Sequence, residues 1–353
     1  QQIPGPRMLH IVTRKGKGYA PAEEDACKFH GVGPFDPETG EVKSSSKPGL
    51  QSYTNIFSDW LVAKGHAEPK LHAITPAMRE GSGLVRFSQE IPERYHDVGI
   101  AEQHSITLAA GMACEGLKPV VAIYSTFLQR GYDQFVHDVA VQNLDVTFAV
   151  DRAGVVGADG ATHTGNFDVA FARCVPNVIM MAPANGEDMF ELLNTAYQYP
   201  GPAMVRYPRD SVAQPSAVNT DIDAEIGKAI QTRVGKQTAL LVFGSLFNIA
   251  QPIADDLDIS LVNMRFIKPL DETLIKDLAA NHDFLVTLED ASIAGGAGSA
   301  VLEYLNQEKI NTPLLRLGLN DEFPSQGSRE QILKDYGLDA DTIRNSIVEF
   351  TRS

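Results

Sequence analysis

Five short apolar runs recur along one stretch of the chain: LHAIT (71–75), VVAIY (120–124), VTFAV (146–150), VIMMA (178–182) and AMVRY (203–207). Each is too continuous to be the half-wetted face of an amphipathic element. A strand that is apolar on both faces must be covered on both, as in the middle of a parallel sheet flanked by helices. Helical patterns fall between the runs. Tyr53 to Lys64 sets Ile56, Phe57, Trp60 and Leu61 on one side, and further helices fit 101–115, 127–142 and 186–198. The style repeats beyond residue 216, with strands expected at 239–244, 260–264, 284–289 and 314–319 and helices at 271–281 and 296–307. The expected fold is α/β: two doubly wound domains with mainly parallel sheets, at 51–218 and 219–353.

Residues 1–50 differ. They hold one strand-like run, MLHIVT (8–13), a Lys/Gly run, and the polar stretches FDPETG and SSSKPG. With too few apolar residues for a core, they read as the last strand of a missing domain plus a linker. The opening QQIPGP, with no initiator Met, reads as the start of a segment cut from something larger. A formal net charge of -15 argues against non-specific binding to nucleic acid or anionic membrane, while leaving room for a local basic pocket. No apolar run reaches membrane-spanning length and no secretory signal is expected. Cys27, Cys114 and Cys174 are far apart and form no CxxC pair, so neither a disulfide framework nor a zinc site is expected.

The strongest chemical signal is IAEQH (100–104), which follows the strand-like RYHDVGI and opens a helix rich in Ala and Gly. Glu102 falls in its first turn, where the helix dipole favours a carboxylate and burial opposes its charge. Taken alone, such a Glu is more often a cap. About twenty residues on, a strand ends in Tyr124-Ser125-Thr126-Phe127 and leads into a helix carrying Arg130. Both junctions lie at the edge where open α/β sheets bind ligands. A planar ring could lie on Phe127 while Glu102 bonds its rim.

Three further segments add chemistry. DRAGVVGADGATHTGNFD (151–168) carries Arg152, Asp159 and His163 on a Gly-rich loop, where Asp and His four apart can meet in one pocket and His suits proton transfer. MVRYPRD (204–210) places Arg206 and Arg209 at a strand end. The guanidinium fork suits a phosphate, though Arg206 reads equally as a solvated arginine in an ion pair. KFHGVGPFDP (28–37) carries His30, ordinarily a solvated linker histidine, and ITPAMREGSG (74–83) carries Met78 at a strand end. Gly295, Gly296 and Gly298 open a later helix, but GGAG lacks the GxGxxG spacing of a dinucleotide site.

IAEQH with YSTFLQRGYDQ resembles the pyrimidine-binding domain of transketolase-type thiamine-diphosphate enzymes. The eighteen-residue loop and the His30 linker narrow the likeness to the deoxyxylulose-phosphate synthases, and MRFIKPLD with EDASIAGGAGSAV resembles the transketolase C-terminal domain, assigned to structure and assembly. The resemblance implies that Glu102 exchanges a proton with the cofactor's aminopyrimidine ring, Phe127 stacks on that ring, Tyr124 and Arg130 lie near it, and Met78 packs beside it. It implies proton handling by His163, Asp159 and His30, and a grip on the phosphate of glyceraldehyde 3-phosphate by Arg152 and Arg209. His10, His104 and His137 are expected to be structural.

The cofactors implied are thiamine diphosphate and magnesium. The metal ligands are expected in the missing N-terminal domain, whose GDG motif is not the GADG of 157–160. This chain is then expected to hold half of the cofactor site and no metal ligand. The implied reaction joins pyruvate to glyceraldehyde 3-phosphate, in a cytoplasmic homodimer (bacterial cytosol, or plastid stroma in a plant). Competing readings are the beta subunit of a 2-oxoacid dehydrogenase, a transketolase, and a non-catalytic assembly module. The strand and His-bearing linker argue against the first, the absence of evident acceptor-site histidines against the second, and the intact Glu102, Tyr124, Phe127, Arg130, Asp159 and His163 against the third.

Overall fold

A computed structural model describes residues 4–26, 28–29, 32, 34–41 and 48–352. The chain forms two compact units, Gln1–Pro48 and Gly49–Ser353. His30 and Cys27 lie outside the described residues.

In the smaller unit Tyr19, Phe29 and Phe35 meet ring to ring at centroid distances of 5.3 to 5.8 Å. FDPETG closes a tight turn, in which the Asp36 carboxylate accepts the N–H groups of Glu38 at 2.8 Å and Thr39 at 3.1 Å. The strand expected at 8–13 does not form: Met8, Leu9, Ile11 and Val12 are exposed and outside any ladder. A strand exists only when its N–H and C=O groups meet a neighbour's, and none among the described residues does so here.

The larger unit carries β1 (Leu50–Ser52), β2 (Leu71–Thr75), β3 (Tyr95–Asp97), β4 (Lys118–Tyr124), β5 (Thr147–Asp151), β6 (Ile179–Met181), β7 (Ala203–Arg206), β8 (Ser211–Ala213), β9 (Ile230–Arg233), β10 (Thr238–Phe243), β11 (Ser260–Asn263), β12 (Phe266–Lys268), β13 (Phe284–Ser292) and β14 (Leu314–Leu319). A seven-stranded sheet runs β12-β6-β7-β5-β4-β2-β3, and a five-stranded sheet runs β14-β13-β10-β11-β9. Within these two sheets the pairings are parallel except β12 with β6 and β9 with β11, and β1 pairs antiparallel with β8 in a separate two-stranded ladder. The α/β class with mainly parallel sheets is as the apolar runs require.

Both faces of the first sheet are covered. Helices Tyr53–Ala67 and Gly186–Gln198 bury Phe57, Trp60, Leu61, Phe190 and Leu193 on one face. Trp60 Nε1 donates to Asn194 Oδ1 at 2.7 Å between them. Helix Glu102–Cys114 sets Ile106 and Ala109 against Phe135 and Val139 on the other. That cluster continues into the second sheet through Leu241, Phe243 and Leu285. The last strand of the first sheet, β12, comes from the C-terminal half, and Arg265 beside it bonds Asp188 Oδ1 at 2.6 Å. Both features escape a strand-by-strand reading, because a three-residue edge strand carries no periodicity.

The helix expected at 127–142 is instead a series of short turns, helical over Ser125–Leu128 and Tyr132–Gln134 and π-helical over Phe135–Ala140. Gly131 sits between them because a Cβ there would lie 2.5 Å from Ile106 Cδ1 and 3.3 Å from Glu102 O. The chain bends to pack against the start of helix Glu102–Cys114.

The glycine-opened helix Ala297–Gln307 has its N-terminus filled from within. Buried Glu289 accepts the N–H groups of Ala297 at 2.7 Å and Gly298 at 2.8 Å. Burial nevertheless pushes its carboxyl from 4.5 up to about 7. Between these two values the folded protein keeps a proton that the unfolded chain has lost, so stability falls as pH rises through the window and is flat above it. The loss from this group is up to ~3 kcal/mol. Burial also raises Asp151 and Asp188, with the same sign. Urea unfolding is therefore expected to show a higher midpoint at pH 5 than at pH 7.5, and Glu289→Gln to narrow the gap. An unchanged gap in that variant counts against the assignment.

Candidate active site

Strands β2, β3, β4, β5 and β7 run parallel, so the segments after their C-terminal ends share one edge of the first sheet. Met78 follows β2, Glu102 follows β3, Tyr124 to Arg130 end and follow β4, Arg152 follows β5, and Arg209 follows β7.

Glu102 opens its helix with a side chain only 4% exposed. Arg130 Nε lies 3.2 Å from its Oε2, yet among the described residues that oxygen is buried without a hydrogen bond. An unpaired buried carboxylate oxygen is expensive unless something with a donor completes it. Glu102 and Arg130 therefore flank a position suited to an N–H group.

Beside them Tyr124 and Phe127 stack at 5.5 Å with an interplanar angle of 7°, and the Arg152 guanidinium lies over Tyr124 at 4.2 Å. His163 meets the Phe127 ring edge-on at 5.5 Å, and its Nδ1 shares a 3.0 Å hydrogen bond with Thr162. Burial pushes the Tyr124 phenol up to about 12, so at neutral pH it keeps its proton. Gly81 packs on the Tyr124 hydroxyl so closely that no Cβ fits, and such a Cβ would lie 2.9 Å from Met78 Cε. Met78 Cε and the Tyr124 hydroxyl thus both close on Gly81.

The basic groups are arranged by carboxylates. Arg152, at φ +57°, donates from Nη1 to Gly81 O at 2.7 Å and lies 3.1 Å from Asp151 Oδ1. Asp151 is fully buried and takes Thr54 Oγ1 at 2.8 Å. Arg209, half exposed, pairs with Asp159. Asp159 and His163, read from the sequence as able to share one pocket, take different partners: Asp159 pairs with Arg209, and His163 bonds Thr162. Arg206 does form an ion pair, with Asp168 at 2.9 Å, but it is buried rather than solvated. Its Nη2 reaches Asp290 O in β13 at 3.0 Å.

Sequence reading missed the part played by the C-terminal half. Asp290 Oδ1 accepts Val155 N at 3.0 Å, Ser292 N donates to Asn166 O at 2.9 Å, and Gln326 Nε2 donates to Ala158 O at 2.9 Å. Gly154 has no room for a Cβ beside the Asp290 carboxylate. The loop bearing Asp159 and His163 is therefore clamped by residues more than 120 positions later in the chain. EDAS (289–292) was visible as a motif, but nothing local shows what it faces.

Two family descriptions match the chain: "Transketolase, pyrimidine binding domain" over residues 50–214 and "Transketolase, C-terminal domain" over residues 227–343. The chain belongs to the transketolase family. It is 57% identical over 342 residues to a 1-deoxy-D-xylulose-5-phosphate synthase of Thioalkalivibrio sulfidiphilus, covering 97% of this chain and 53% of the relative. It is 56% identical to the protein of that name from Stenotrophomonas maltophilia, covering 98% of this chain and 54% of the relative. The chain thus spans about half the length of the curated relatives it matches. Among solved structures it is similar to a split gene transketolase described as an inactive beta4 tetramer, with TM-score 0.74 and 27% identity, covering 84% of this chain and 97% of that one. A Campylobacter jejuni transketolase shares the fold at TM-score 0.70 and 17% identity, over 86% of this chain and 47% of that one. No helix among the described residues is long and apolar enough to cross a membrane.

Proposed function

We propose that this transketolase-family chain is the pyrimidine-binding and C-terminal part of a 1-deoxy-D-xylulose-5-phosphate synthase. The reaction joins pyruvate to glyceraldehyde 3-phosphate, releases carbon dioxide and gives 1-deoxy-D-xylulose 5-phosphate, a precursor for isoprenoids, thiamine and pyridoxal. The observation that carries the reading is the identity of 54–57% to proteins of that name across 97–99% of the chain. The beta-subunit and assembly-module readings lose ground on the same observation.

The residues fit the aminopyrimidine end of thiamine diphosphate. The unpartnered Oε2 of Glu102 can exchange a proton with a ring N–H, and Phe127 offers a face for the ring, with Tyr124, Met78 and Arg130 around it. When bound, the cofactor supplies the nucleophilic carbon and the electron sink for decarboxylation. His163, edge-on to Phe127, is placed to hold or move a proton at a substrate oxygen. Asp159 aims the Arg209 fork, and His30 of the linker joins the proton handling. Magnesium and the diphosphate are held by residues of an N-terminal domain outside this chain. A homodimer in the bacterial cytosol belongs to the same reading.

Arg152 and Arg209 set the preference for a phosphorylated aldehyde. Charge-assisted hydrogen bonds to phosphate contribute roughly 1.5–3 kcal/mol each. In the full-length protein, assayed with both substrates, thiamine diphosphate and magnesium, Arg209→Gln is expected to raise KM for glyceraldehyde 3-phosphate at least ~10-fold and KM for pyruvate less than ~3-fold. Arg152→Gln is expected to show the same split, with an added loss of kcat from freeing the Gly81 segment. Equal effects on both substrates would overturn the assignment, and no deoxyxylulose phosphate from the wild type would overturn the reading.

A further inference from the structure

One guanidinium in the C-terminal half touches both arms of the phosphate-holding edge. Arg329 starts the short helix Arg329–Asp335, with its side chain 15% exposed. Nη1 bonds Asp210 Oδ2 at 2.9 Å, and Nη2 bonds Asp290 Oδ2 at 2.5 Å. Asp210 is the residue after Arg209, at the end of β7. Asp290 holds Val155 N through its other oxygen, at 3.0 Å. The ion pair of Arg209 with Asp159 then closes a ring: Arg329 to Asp210, along the chain to Arg209, across to Asp159, back along the loop to Val155, and through Asp290 to Arg329.

The backbone around Arg329 locks to the same loop. A Cβ on Gly157, at φ +70°, would lie 2.9 Å from Arg329 N and 3.2 Å from Gly327 O. Gln326 Nε2 bonds Ala158 O at 2.9 Å, and Phe323 meets Phe167 edge-on at 5.8 Å. Loop and helix start therefore keep one fixed spacing. The fork reaches the two carboxylates from two separate nitrogens held in one plane, a geometry that the single nitrogen of an ammonium group does not reproduce.

We infer that Arg329 is a positioning residue for the aldehyde-phosphate site, fixing where Arg209 and Asp159 stand relative to one another although it touches neither. The inference rests on the synthase reading above. It assigns the C-terminal half a part in substrate selection as well as in packing. Loss of the fork frees the β7 end and the Gly-rich loop to drift apart, which weakens the grip on phosphate and leaves the pyruvate side alone.

The test uses the full-length protein with cofactor and magnesium. Arg329→Gln is expected to raise KM for glyceraldehyde 3-phosphate about 10-fold, with KM for pyruvate and for unphosphorylated glyceraldehyde moving less than about 3-fold. Arg329→Lys, which keeps the charge and loses the fork, is expected to fall between wild type and Gln. Asp210→Asn removes one arm of the ring at a half-exposed carboxylate, so it folds even if Arg329→Gln does not. It is expected to raise the same KM about 3-fold with Tm unchanged. A fall in Tm with all KM values unmoved, an equal rise for both substrates, or full recovery by Lys would overturn the inference. Wild type and Arg209→Gln are assayed alongside. If the wild type yields no deoxyxylulose phosphate, the synthase reading fails and this inference with it. If wild type and Arg209→Gln behave as expected while Arg329→Gln and Asp210→Asn do not, this inference alone fails.

Discussion

Replacing Glu102 by Gln in the full-length protein is expected to lower kcat by roughly 100- to 10,000-fold at saturating substrates, the range spanned by a positioned proton-transfer group. Gln keeps the shape of the side chain, so the backbone at the helix start has no reason to move. It also takes a charge out of a site where Oε2 has no hydrogen bond and Arg130 is the cation at hand. Folding stability should therefore change by no more than about 1 kcal/mol, because the buried charge that is lost was incompletely paired. The combination of an intact Tm and a collapsed kcat separates a proton-transfer role from a helix-capping one. A cap of this kind is worth only ~1 kcal/mol and leaves turnover alone. Turnover within about fivefold of wild type would sink the catalytic assignment.

The second large effect is on stability. Arg206→Met is expected to destabilise the protein by about 3–5 kcal/mol in urea unfolding near neutral pH. The reason is specific to this pair. Arg206 and Asp168 are both buried, and the guanidinium also satisfies the carbonyl of Asp290 in the other sheet. Met fills most of the volume but strands a carboxylate left, among the described residues, with the Val169 N–H at 2.9 Å. Adding Asp168→Asn to Arg206→Met should recover part of the loss, since the stranded group is then neutral. A single-variant loss under about 1 kcal/mol would mean that water reaches Asp168 and the clasp is not closed.

Much of the site was legible locally. Glu102, Tyr124, Phe127 and Arg152 fall at strand ends because a buried parallel strand is a continuous apolar run, and the residue after it leaves the sheet at the ligand-binding edge. The run at 8–13 forms no ladder among the described residues, and the helix expected at 127–142 is a helical run over 125–140 that changes type at Gly131. Apolar residues do not make a strand without a neighbour to pair with, and helical periodicity does not reveal that Gly131 must pass under Ile106.

What the sequence by itself determined is the alternation of covered strands and helices, hence two α/β domains, and the kinds of chemical group brought to one edge of the first sheet. What only the tertiary structure decided is how those groups are held. Asp159 pairs with Arg209, Arg206 is enclosed, β12 crosses to the first sheet, and Asp290 with Arg329 sets the Gly-rich loop from the far half of the chain. Local order follows from backbone period and side-chain polarity, which a short window contains. Partner choice for a charged group depends on which opposite charge the packed core delivers within about 3–4 Å, and no window of sequence contains that.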